Sequence, residues 1–105
     1  MEYEQKGDKL VLKPEGKITA ANVDEVKQTF LEWIEKGQKD LIVDLSGVDI
    51  IDSKGLAVFI VCNKTLSESG GSLTVVTDKQ DLLNLFHVMR LDQQFTICRP
   101  DAVGV

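Results

Sequence analysis

Two hydrophobic periods alternate along the chain and predict an α/β fold. Short runs of adjacent apolar residues, such as Leu41-Ile42-Val43, are typical of strands that are covered on both faces of a sheet. Between these runs, apolar residues recur three and four positions apart, which is the period of an amphipathic helix. The pattern predicts strands at residues 1–5, 9–12, 40–45, 72–77 and 95–98 and helices at residues 22–36, 53–67 and 79–89.

The order ββαβαβαβ predicts a mixed, mostly parallel sheet with about three helices packed on it. Strands that alternate with helices pair in parallel through right-handed crossovers. The turn signal Lys6-Gly7-Asp8 adds an antiparallel hairpin at the start, and residues 16–19 are expected to continue or close its second strand. A chain of 105 residues is one domain, so residues 1–105 form a single unit.

The first two helices carry signals at their N-termini. Asn22 is a predicted N-cap of the first helix, with Glu25 three positions later in the place of a capping box. A short loop after the strand that ends near Asp44 is predicted to lead into the second helix. The first half of that helix is apolar nearly all round, which favours deep burial or an apolar face kept for a partner.

The third helix is expected to turn Leu82, Leu85, Phe86 and Met89 towards the core. Its single histidine, His87, lies in the same packing pattern and is interpreted as a structural residue. No other histidine or cysteine lies near His87 in the sequence, so no metal site is predicted there.

The charge of the chain limits its partners. Seventeen acidic residues against twelve lysines and arginines give a net charge of −5, which argues against nucleic acid and against anionic membranes. No apolar stretch is long enough to span a bilayer, and the first residues do not form a signal peptide. We therefore expect a cytoplasmic protein whose Cys62 and Cys98 are thiols in the core.

No established catalytic pattern is present in the sequence. The glycine-rich phosphate loops and the G-x-S-x-G nucleophile elbow are absent. The acidic residues of the first helix fit a solvated helix face. The sequence therefore predicts no catalytic residue, no cofactor and no metal.

The start of the second helix supports two interpretations of Ser53. In the first, the Ser53 hydroxyl caps the helix, and Gly55 allows the helix to approach the sheet closely. In the second, Ser53 is phosphorylated, because the helix dipole and free N–H groups favour a phosphate there. The phosphate would add about −1.5 to −2 charges beside Asp52 and near Asp49.

The segment Ile51-Asp52-Ser53-Lys54-Gly55-Leu56 resembles the phosphorylation motif of STAS domains, and more narrowly that of anti-sigma factor antagonists. The Asp-Ser-x-Gly-Leu element after a buried strand is its most specific part. The similarity extends over nearly the whole chain, through residues 16–18, 41–48, 70–73 and 91–97.

The resemblance implies a small mixed sheet with packed helices and a switch at Ser53. In this family the anti-sigma factor is itself an ATP-using serine kinase that phosphorylates this serine. The unphosphorylated antagonist binds the anti-sigma factor and frees the sigma factor, and a protein phosphatase resets the phosphorylated form. The partner-binding residues implied here are Thr19, Asn22, Asp49, Asp52, Ser53, Lys54 and Gly55.

Three features depart from the family pattern. The family often has Asp in place of Thr19, and usually has Ser or Thr in place of Lys54. A lysine there would offset part of a phosphate charge. The chain ends at Val105, soon after Pro100, where many relatives carry a further helix, and this is expected to leave one side of the sheet open.

Two other functions stay open on the sequence. The domain could be a constitutive scaffold in a regulatory or transport complex, with Ser53 serving only as the helix cap. It could also be a small hydrolase with Ser53 as nucleophile, although the sequence positions no base. The apolar second helix leaves self-association into a homodimer open as well.

Overall fold

Strands and helices alternate through residues 1–103, the part of the chain that the computed structural model describes. The strands are β1 (Glu2–Lys6), β2 (Lys9–Lys13), β3 (Glu15–Ile18), β4 (Asp40–Asp44), β5 (Gly47–Ile51), β6 (Ser72–Val76) and β7 (Thr96–Cys98). The helices are α1 (Val23–Glu35), α2 (Ser53–Glu68), α3 (Gln80–Val88) and the short α4 (Pro100–Val103). A 3₁₀ turn covers Leu91–Gln93.

Five strands form the main sheet in the order β1-β2-β4-β6-β7. The pair β1–β2 is antiparallel, and the other pairs are parallel. With α1, α2 and α3 between them, these strands follow the predicted order ββαβαβαβ. The predicted α/β class, the mixed sheet and the opening hairpin are confirmed.

The core lies between the main sheet and helices α1 to α3. Leu10, Leu41 and Leu73 are aligned on adjacent strands and are all buried. Opposite them, four phenylalanines form a continuous row: the ring centroids are 6.1 Å apart for Phe30–Phe59, 5.6 Å for Phe59–Phe86 and 6.4 Å for Phe86–Phe95. The row joins all three helices and the segment before β7 into one cluster.

A second, two-stranded sheet corrects the prediction on both sides of α1. Residues 15–18 do not continue β2 but form β3, which follows Pro14 and contains a left-handed Gly16 (φ 81°). The expected loop before α2 is strand β5, which pairs in parallel with β3. Strand β5 forms because its Val48 and Ile51 enter the core while the residues between them stay exposed.

Three predicted side-chain positions also need correction. Met89 is 52% exposed, because α3 ends at Val88. His87 does not pack inward: its side chain is exposed, and Nδ1 lies 2.7 Å from Asp92 Oδ2. Cys98 is only half-buried.

Cys62 is buried as predicted, and burial raises the pKa of its thiol to about 12. The Cys62 sulfur is therefore a protonated thiol of the core at neutral pH. No helix within the described residues is long and apolar enough to cross a membrane. The expected absence of a further helix after Pro100 is corrected by the short α4 at residues 100–103, and residues 104–105 lie outside the described part of the chain.

We expect Phe59→Ala to destabilise the domain strongly, because Phe59 is the middle of the aromatic row and is 0% exposed. The free energy of unfolding, measured in urea, should fall by about 3–5 kcal/mol. The matched control is Ile60→Ala on the same helix, where the side chain is 40% exposed. An equal loss in both variants would contradict this description of the core.

Candidate functional site

The carboxylate of Asp52 caps helix α2. Its backbone is extended (φ −96°, ψ −176°), and Oδ1 accepts a 2.8 Å hydrogen bond from the Gly55 N–H. Asp52, and not Ser53, is therefore the N-cap, which corrects the first interpretation of the serine. A carboxylate suits this position because it meets both the free N–H groups and the positive end of the helix dipole.

The second oxygen of Asp52 reaches a distant part of the chain. Oδ2 accepts a 3.0 Å hydrogen bond from the Ala20 N–H in the β3–α1 turn, and the Asp52 N–H donates to the Ile18 carbonyl at 3.3 Å. The hydrogen bonds from Gly55 and then Ala20 lower the pKa of Asp52 below its ordinary value. One ionised side chain thus joins the starts of α1 and α2.

Gly55 allows this close junction. A Cβ atom at Gly55 would lie 2.1 Å from the Ile18 carbonyl oxygen and 2.9 Å from Ile51 Cγ2. Any side chain there would push α2 away from β3. The close approach expected of Gly55 is therefore an approach to the backbone of the small second sheet.

Thr19 and Asn22 shape the turn that faces Asp52. Thr19 Oγ1 accepts from the Ala21 N–H at 3.2 Å. Asn22 Oδ1 accepts from the Thr19 N–H at 2.9 Å, and its Nδ2 donates to the Lys17 carbonyl at 2.7 Å. Asn22 makes no side-chain cap on α1, so the predicted capping box is wrong. Its amide is instead used to close the turn.

Ser53 is the first residue of α2 and is exposed, as is Lys54 beside it. Within the described residues, the Ser53 hydroxyl makes no hydrogen bond. A hydroxyl that is exposed and unbonded can be modified without breaking a contact of the fold.

Asp49 belongs to a different contact. Its Oδ1 lies 2.9 Å from Lys79 Nζ, and the same ammonium donates to the carbonyls of Val48 (2.6 Å) and Ser46 (3.1 Å). Lys79 therefore uses all three of its donors to hold the start of β5. The sequence did not indicate this residue, because its partners lie about thirty positions away.

These features define a small α/β domain that presents one serine at the capped start of a helix. The chain belongs to the STAS domain family, whose profile matches residues 1–100. The predicted family is confirmed.

Two relatives are provisionally named anti-sigma factor antagonists. The chain is 28% identical over 92 residues to one from Thermotoga maritima, an alignment that covers 87% of this chain and 81% of that protein. It is 26% identical over 74 residues to one from Bordetella bronchiseptica, covering 70% of this chain. The second alignment spans 64% of that relative, just under two thirds of its length.

Solved structures share the fold. A crystal structure of a protein provisionally named an anti-sigma factor antagonist from Thermotoga maritima has a TM-score of 0.87 and 28% identity, with 92% of this chain and 84% of that chain covered. The Bacillus cell fate determinant SpoIIAA in its phosphorylated form has a TM-score of 0.71, with 91% and 88% covered. Its identity is only 14%, so this likeness concerns the fold alone.

The cap predicts a pH-dependent stability. The pKa of Asp52 is lower in the folded chain than its ordinary value near 3.8. The stabilising effect of the ionised carboxylate is therefore complete above pH 3.8 and is lost as the pH falls through the lower folded-state pKa. We expect Asp52→Asn to be less stable than wild type at neutral pH, with a difference that shrinks below pH 3.8. Urea unfolding of both proteins across a pH series measures this difference in the free energy of unfolding. The control is Asp8→Asn in the first hairpin turn, and a pH-independent difference would contradict the prediction.

The close approach at Gly55 predicts a steric penalty. Gly55→Ala should lower the free energy of unfolding by about 1–3 kcal/mol, because the new methyl group meets backbone that cannot rotate away. Urea unfolding measures this loss. Ala57→Gly, two residues later on the exposed side of α2, controls for helix propensity alone and should cost about 0.5–1 kcal/mol. A neutral or stabilising Gly55→Ala would contradict the described packing.

Proposed function

We propose that this protein is an anti-sigma factor antagonist whose binding is switched by phosphorylation of Ser53. In its unphosphorylated form it binds an anti-sigma factor that is also a serine kinase, and a sigma factor is released. A phosphate on Ser53 turns this binding off, and a protein phosphatase restores it. Membership of the STAS family and the names of the Thermotoga and Bordetella relatives support this proposal.

One observation carries the switch: Asp52 caps α2, which leaves the neighbouring hydroxyl unused. If Ser53 were the cap, phosphorylation would remove a bond that the helix needs. Since Asp52 Oδ1 already accepts from the Gly55 N–H, the Ser53 hydroxyl is available for modification. The fold can then stay the same in both states, while the surface at this point changes.

The change at that surface is mainly one of charge. A phosphate adds about −1.5 to −2 charges at the start of α2. The helix dipole favours the added charge, so the helix itself is not weakened. A partner that fits the neutral hydroxyl would meet a doubly charged group beside the Asp52 carboxylate. Lys54 offsets part of that charge, so the switch is shallower than it would be with Ser or Thr at this position.

The proposed binding surface surrounds Ser53. It combines the start of α2 with the turn that Asp52 holds in place and with the exposed Asp49 in the middle of β5. Its residues are Thr19, Asn22, Asp49, Asp52, Ser53, Lys54 and Gly55. The role proposed for these residues is partner binding. The proposed location is the cytoplasm.

A constitutive scaffold is the second candidate. It is favoured by Thr19 and Lys54, the two positions at which the chain departs from the family pattern around the serine. In that case the exposed hydroxyl of Ser53 is never modified, and the same surface binds one partner permanently.

Paired baits distinguish the two candidates. We expect Ser53→Ala to retain an ATP-binding serine kinase from the native lysate and Ser53→Asp to lose it by about tenfold or more, with capture measured by quantitative mass spectrometry. The control is Ser67→Asp, which makes the same chemical change at an exposed position near the other end of α2. It should bind like wild type. Both Ser53 variants should unfold within about 0.5 kcal/mol of wild type.

A kinase assay with the captured protein completes the test. Labelled phosphate from ATP should enter the wild-type chain and not the Ser53→Ala chain. If both Ser53 baits retain the same proteins and no phosphate enters the wild type, the scaffold is correct and the switch is wrong.

A further inference from the structure

One face of α2 carries an exposed stripe that the core does not use. Its members are spaced three and four residues apart, so they lie along one side of the helix. They are Lys54, Ala57, Val61, Lys64 and Glu68, all of them exposed, and we call them the α2 stripe. The opposite side of α2 enters the core through residues such as Phe59 and Cys62.

The middle of the α2 stripe is apolar. Val61 is 37% exposed and its neighbour Ile60 is 40% exposed, although a helix face that only meets water is normally polar. Val61 and Ala57 also line a shallow groove of about 180 Å³ between α2 and α1, together with Val23 and Lys27. This face therefore combines apolar contact area with a recess.

The ends of the α2 stripe carry opposite charges that are placed against the helix dipole. Lys54 lies in the first turn and Glu68 in the last, whereas the dipole favours acids at the start and bases at the end. Neither side chain takes part in an ion pair within the described residues. In the isolated domain both charges thus oppose the helix dipole, and neither forms a close ion pair, although Lys54 lies near the Asp52 carboxylate.

A second copy of the chain can supply an opposite charge for both Lys54 and Glu68. Lys54 and Glu68 are each seven residues from Val61. If two α2 helices pack antiparallel about a two-fold axis at Val61, the Lys54 of each copy meets the Glu68 of the other. A parallel arrangement would instead bring like charges together. Antiparallel packing also brings the opposite ends of the two helix dipoles together.

We propose that the α2 stripe is a homodimer interface in which two copies pack antiparallel, with Val61 on the two-fold axis and Lys54–Glu68 pairs at both ends. The interface is isologous, so the same residues serve both copies. One helix face buries less than the roughly 1,200 Å² of a standard interface, so the dimer is weak and depends on concentration.

The dimer would cover one side of the proposed switch, because Lys54 is adjacent to Ser53. Self-association and binding of an anti-sigma factor would then compete, and this consequence alone rests on the proposed function. The dimer itself is tested on the purified, unmodified chain, so its failure leaves the test of Ser53 untouched.

Charge exchange tests the dimer. Sedimentation velocity of the full chain, from about 10 µM to 1 mM, should show a monomer–dimer equilibrium in this range. Lys54→Glu and Glu68→Lys should each raise the dimer Kd by about tenfold or more, because each creates two repulsive pairs. The double variant should recover the wild-type Kd.

Two controls keep the outcome unambiguous. Val88→Glu alters an apolar residue that is 74% exposed on α3 and should leave the Kd unchanged. Circular dichroism should show that every variant is folded, which is expected because the altered side chains are exposed. A wild type that stays monomeric at 1 mM, a double variant that does not recover, or loss of the dimer in Val88→Glu would each overturn the proposal.

Discussion

The carboxylate of Asp52 is the interaction on which the rest of the site depends. Its two oxygens accept from the N–H groups of Gly55 and Ala20, which lie on either side of the junction between the second sheet and the helices. A serine side chain has a single oxygen, so it could not take the place of both carboxylate oxygens. The same carboxylate that joins the two turns therefore leaves the hydroxyl of Ser53 outside the hydrogen-bond network.

This division of roles is the basis of the proposed switch, in which a modification changes binding without changing the fold. The backbone around Ser53 is fixed by Asp52 on one side and by the contact of Gly55 with the Ile18 carbonyl on the other. Strand β5 is held in turn by Lys79, which reaches across from the start of α3. On a surface held in this way, a phosphate would change mainly the charge that a partner meets, because the shape of the surface has little freedom to change.

Local patterns in the sequence predicted the main sheet and the three long helices, because their hydrophobic periods are strong. They did not predict the pairing of β3 with β5, since each strand is short and its partner lies about thirty residues away. They also could not rank Asp52 above Ser53 as the cap, because both residue types are good N-caps. The distant N–H of Ala20 favours the carboxylate, and no local pattern contains that contact.

Helix α2 consequently carries three roles on three parts of its surface. The side with Phe59 and Cys62 belongs to the core, the first turn presents Ser53, and the proposed interface runs along the exposed side. The first turn and the proposed interface share Lys54. A phosphate on Ser53 and the Glu68 of a second copy would both attract this ammonium group. Because one ammonium cannot fully neutralise both anions, a phosphate at Ser53 would weaken self-association as well as partner binding. The modified chain would then be the form that is most strictly monomeric.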